Sequence, residues 1–336
     1  MATKQGRSTA ISASNSVSNS ISALLIAALL GACGGGGGGS VVTPTPVTAP
    51  PQTATAVPPA PPPASGAPAL TGNIATDGFN WLNYRRVQVG LLPALQRNPL
   101  IDRAAQGHSE YQVINGISHT QVRGLRGFTG VELLERLSSA GYTVAAPYYF
   151  GEVIARAGST SGVYLAEELV TAIYHRFVVL EPSFNEGGGG AAVSTSGDAY
   201  FTANFGANNG TALSLGASGI VSYPFAGQTG VPSVFLSNNE APDPVPNLNE
   251  VGYPISVHAD AANTVTVQSF SVRPRGGNDM PVLLLTADAD KQRETPKSAA
   301  AIIPLEVLRF NTTYDVSFIG TVGGVPLTRN WSFTTQ

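Results

Sequence analysis

Apolar positions recur with a helical period from about residue 77 to 180, and from 189 onward they give way to short β-branched and aromatic runs broken by Gly, Asn and Pro. The first half therefore reads as mixed and helix-rich, the last part as all-β. A first helix is expected from Asp77 as N-cap through Phe79, Leu82 and Val87 to Gly90. A second opens with Asn98 as cap and Pro99 at the first helical position. Its inward stripe is Leu100, Ala104, Ala105, His108, Tyr111 and Ile114, and Asn115-Gly116 stops it. Thr129-Gly130-Val131-Glu132 has the form of a capping box for a third helix ending at Gly141. A fourth is expected over about 162–180, with Leu165, Leu169, Ala172, Ile173 and Phe177 inward. Strands are expected at 199–205, 253–257, 264–272, 282–286, 313–319 and 331–335. Residues 207–251, rich in Gly, Pro and Asn, read as a connecting region with little core of its own.

The first seventy residues follow different rules. Lys4 and Arg7 precede an apolar run from Ile21 to Leu30 that is too short to span a bilayer as a mature helix, which reads as a signal peptide over 1–32. It ends Leu30-Gly31-Ala32-Cys33, similar to the lipobox of bacterial lipoproteins, and Cys33 is the only cysteine of the 336-residue chain. That resemblance implies lipidation of Cys33 and a membrane partner through the lipid anchor. Gly34 in place of Asp favours the outer membrane. Residues 33–72 then form a Gly-rich and Pro-rich tether with too little apolar bulk to fold.

Formal net charge is −3 with no basic stripe, so nucleic acid is not an expected partner. No Ser lies in a G-x-S-x-G setting. The glycine run 187–190 lacks the following Lys-Ser/Thr of a phosphate loop. Four histidines remain for inspection. His119, Glu152 and His175 are two imidazoles and a carboxylate near element ends, the donor types a zinc ion takes when it keeps open positions. His108, on the inward stripe of the second helix, is expected in a buried packing role, and His258 at the surface.

The order Asn83-x-x-Arg86, Gly90-Leu91, Ala105 to Ser109, Ser118-His119, Gly151-Glu152 with Ile154-Ala155, His175-Arg176, Pro182-Ser183-Phe184 and Tyr200-Phe201 to Phe205-Gly206 resembles the CAP superfamily in its bacterial form. These are the cysteine-rich secretory, antigen 5 and pathogenesis-related proteins. The resemblance implies an α+β class, an α-β-α sandwich around a cleft over residues 73–206, with His119, Glu152 and His175 as cleft members. The sequence departs from the family pattern at Val153, where G-E-N has Asn, and at Leu169, where a tryptophan is common. The second acidic cleft member is also missing, and Glu168 is its nearest substitute. The ending Trp331-Ser332-Phe333-Thr334-Thr335 resembles bacterial Ig-like modules and implies a β-sandwich over 252–336. Three functions follow as expectations. One is an envelope lipoprotein whose cleft holds a metal ion, a lipid or a cell-envelope ligand. Another is a metal-dependent hydrolase with Glu152 as base beside zinc. The third is a structural or adhesive protein whose cleft is vestigial.

Overall fold

The computed structural model describes residues 66–336 and, as backbone, the strand at 11–14. Cys33, the rest of the expected leader and nearly all of the tether lie outside the described residues. No described helix is long and apolar enough to cross a membrane.

In chain order the first part comprises β1 (Ile11–Ser14), α1 (Ile74–Gln88), β2 (Gln96–Arg97), α2 (Pro99–Asn115), α3 (Leu133–Ser139), β3 (Tyr149–Ala157), α4 (Gly162–Thr171), α5 (Ile173–Val179), β4 (Glu186–Val193) and β5 (Ala199–Ala207). The start of α1 lies earlier than its pattern suggests. Asn73 caps it by accepting from the Thr76 N–H, while Asp77 in the first turn accepts from the Thr71 and Gly72 amides. The second helix has its expected limits, with Asn98 accepting from the Leu100 N–H and Pro99 at N1, but Ile114, expected on its inward stripe, is exposed at its last turn. The capping box before the third helix does not form, because the Thr129 amide and hydroxyl are both directed to Gln121 Oε1 and the cap residue is Glu132. The fourth helix is two. Ala172 takes an extended conformation, ending α4 and starting α5, and the carboxylate of Glu240 accepts the freed amides of Ile173 and Tyr174.

The glycine run at 187–190 is a strand, β4, and its glycines set the layering. A Cβ at Gly189 would lie 2.9 Å from the Ala75 carbonyl of α1, and one at Gly190 would lie 2.1 Å from the Gln106 amide of α2. Alternate residues of a strand face opposite sides, so α1 and α2 press on opposite faces and only glycine admits both backbones. Asp102 and Gln106 of α2 then accept the Gly189 and Ala191 amides, which leaves that sheet edge satisfied.

The second part contains β6 (Val221–Tyr223), β7 (Val234–Leu236), β8 (Glu240–Ala241), β9 (Glu250–Gly252), β10 (Ile255–His258), β11 (Val265–Pro274), β12 (Val282–Leu285), β13 (Ala299–Pro304), β14 (Thr313–Val322) and β15 (Val325–Thr334). A mainly antiparallel sheet runs in the order β2-β4-β5-β3-β1-β8. Antiparallel sheets of order β12-β13-β10-β6 and β11-β14-β15 follow, and their inner faces share one core that includes Ile255, Ile302, Phe270, Phe318 and Trp331. The all-β reading of the C-terminal part therefore holds, with β6 joining from outside it. Residues 207–251 are more than a connection. They bury Tyr223, Val231, Phe235, Glu240 and Val251.

Buried polar bonds tie the two parts together. Arg176 of α5 donates to the carbonyls of Val170 and Pro254 and lies 4.8 Å and 4.9 Å from the ring centres of Tyr223 and Tyr253. Tyr174 donates to Asp290, and Glu181 accepts from the Ala261 amide.

Candidate functional site

The loop after α2 carries His119, and the middle of β3 carries Glu152 and points it at that loop. The His119 Nδ1 lies 2.9 Å from Glu152 Oε1, joining two residues 33 positions apart. Arg136 of α3 completes the contact with a fork of two 2.8 Å bonds from one nitrogen to both carboxylate oxygens, and its other terminal nitrogen donates to the His119 carbonyl. His108 stands behind them, its Nε2 3.6 Å from Glu152 Oε1 and its Nδ1 bonded to Gln121 Nε2 at 2.9 Å. Glu152, Arg136 and His108 are buried. His119 is the most open of the four, at 9% exposure.

Burial by itself would raise the pKa of Glu152. The Arg136 guanidinium, His108 and His119 with its hydrogen bond together outweigh that, and the carboxyl is held well below the usual range. Burial lowers His108 to about 4, against the pull of Glu152, so its ring is neutral at physiological pH. An ionised carboxylate bonded to His119 Nδ1 favours the Nδ1–H tautomer, which places the ring lone pair on Nε2. A carboxylate this acidic is a poor proton acceptor near neutrality, and its role here is to hold His119 and Arg136 in place.

His175 does not join this cluster through any bond described. It is fully buried in α5, where its Nδ1 and backbone amide lie 3.2 Å and 3.3 Å from Glu240 Oε1. Its Nε2 has no hydrogen-bond partner among the described residues. Glu240, not Glu168, is thus the acid beside His175. The sequence reading missed it because it lies 65 residues beyond His175, inside the segment read as a connection. The segment holds three acidic residues, Glu240, Asp243 and Glu250, among Gly, Pro and Asn, and nothing local distinguishes the first of them. His258, expected at the surface, is buried with Nε2 2.9 Å from Ser256 Oγ.

The three side chains expected to share a zinc ion are not gathered in one place by the bonds described. His119 Nδ1 and Glu152 are bonded to each other and Arg136 bonds both Glu152 oxygens, whereas His175 is bonded to Glu240. Among the described residues no group of three metal-donor side chains assembles.

No family model matches the chain, and no curated protein matches it. Among solved structures, an outer surface protein from Borrelia burgdorferi is similar to 39% of this chain over 90% of its own, at 16% identity and a TM-score of 0.32.

Proposed function

We propose that the protein is a lipid-anchored envelope protein with a CAP-type binding cleft over residues 73–206, and that the cluster at His119 holds a lipid or cell-envelope ligand without doing chemistry on it. The single observation that supports this reading is the 2.9 Å bond between His119 and Glu152, two residues assigned to one cleft from motifs far apart in sequence. The hydrolase alternative asks Glu152 to act as base, and the low pKa that Arg136, His108 and His119 together give its carboxyl speaks against that role. Anchoring through Cys33, and placement in the outer membrane, rest on the lipobox alone.

The test is titration of the fragment starting at residue 66 with vesicles of envelope lipid and, separately, with zinc, for the parent and for His119→Ala. Binding of lipid that weakens at least about tenfold in the variant, a loss near 1.4 kcal/mol, is expected. Tight zinc binding lost in both His119→Ala and His175→Ala would overturn the non-metal reading in favour of a metal cleft. For the anchor, Cys33→Ser should move the protein from the membrane fraction to the soluble one.

A further inference from the structure

We infer that the mature protein presents a strand-shaped slot between β3 and β8 that takes an extended polypeptide in trans by β-augmentation. One edge of β3 pairs with β5 along its whole length, from Tyr149 with Ala207 to Ala157 with Ala199. The opposite edge is met by β1, in the register Ile11 with Ala155 to Ser14 with Glu152. On its far side β1 runs parallel to β8, with Ile11 opposite Glu240 and Ser12 opposite Ala241. The space between β3 and β8 is therefore one strand wide, and α5 packs over it.

Residues 11–14 belong to the segment whose sequence reads as a leader removed at Cys33. Val153, Ile154 and Ala155 of β3 are buried with β1 in place, and once β1 is cut away the edge it occupied has a row of unpaired amides and carbonyls. Backbone groups stranded in this way are costly, and they template another strand. Glu152 lies at one end of the slot and Glu240 at the other. Both carboxylates already have partners, Arg136 and His119 for the first and the α5 amides for the second. The free capacity of the slot is its backbone, so recognition is of an extended chain rather than of a charged side chain.

The inference rests on the lipoprotein reading through the removal of the leader, and the experiment separates the two. The apolar cores of the described residues are built beyond residue 66, and a fragment starting there retains every one of those residues. Fluorescence anisotropy with a labelled peptide of residues 8–17 should show saturable binding to this fragment. N-methylating alternate backbone amides of the peptide should weaken it at least about tenfold, as loss of strand hydrogen bonds demands. Hydrogen exchange should slow at residues 152–155 when peptide is added. Absence of saturation, equal binding of the N-methylated peptide, or protection elsewhere overturns the slot and leaves the lipoprotein reading intact. Mass spectrometry that finds residues 11–14 on the mature chain overturns both, because the slot is then filled in cis.

Discussion

His108 and His258 are enclosed by protein, and burial first of all lowers their pKa values to about 4 and about 3. In the unfolded chain each returns to about 6.5, so the unfolded state binds more protons below that pH. The stability each contributes is present at neutrality and falls as pH drops through 6.5, by about 1.4 kcal/mol per unit. Glu181 works the other way. Burial pushes its carboxyl up to about 6, so the fold takes up its proton first and gains on acidification between pH 6 and 4.5. Glu152, held low, adds a loss only as pH falls below its unfolded value of 4.5. Between pH 7.5 and 5 the two histidines, at roughly 2 kcal/mol each, outweigh Glu181, at roughly 1.4 kcal/mol. A net loss of about 2–3 kcal/mol is expected from urea unfolding curves at the two pH values. An unchanged free energy of unfolding would mean that these histidines take protons in the folded state.

At the scale of elements, two glycines predict opposite outcomes for the same substitution. Gly190→Ala places a methyl group 2.1 Å from the Gln106 amide, and neither the α2 backbone nor the β4 strand can yield without disturbing the sheet. A loss of about 3 kcal/mol, or failure to fold, is expected from overpacking between two backbones. Gly107→Ala, in the middle of α2, meets only Thr129 Cγ2 at 3.4 Å and should stabilise by up to about 1 kcal/mol through helix propensity. Thermal melts of the two variants check both signs. The break between α4 and α5 has a similar origin in a partner. Once Ala172 turns extended, the first amides of α5 need an acceptor, and Glu240 is built into β8 to provide it. Helical periodicity carries no sign of this, since apolar residues continue in phase through 165–177.

For the whole molecule, the buried bonds of Arg176, Tyr174 and Glu181 cross between the helical part and the β part. An isolated fragment of residues 66–206 would strand Arg176 without its Pro254 carbonyl and tyrosine rings, and would leave the α5 amides without Glu240. Losing the partner of a buried charge costs about 3–5 kcal/mol, so that fragment should fail to fold. The fragment 66–336 should unfold in one calorimetric transition. Two resolved transitions, or a stable 66–206 fragment, would show that the parts are independent, as the composition of 207–251 suggests.

The sequence by itself determined the elements with strong local signals. The last strand starts six residues earlier than expected and the buried strand Ala299–Pro304 is not among those expected, whereas the α2 cap at Asn98-Pro99 and the strands at 199–205 and 313–319 stand close to where the pattern places them. These depend on neighbours a few positions apart, which a linear pattern records. It also singled out His119 and Glu152, which the fold joins. Tertiary structure alone decided that Arg136 and His108 complete that cluster, that His175 turns to Glu240, and that a glycine run is a strand gripped by two helices. Each depends on a contact between residues distant in sequence, where burial and a competing charge set both the partner and the pKa. No period or motif along the chain encodes which buried carboxylate a guanidinium will reach.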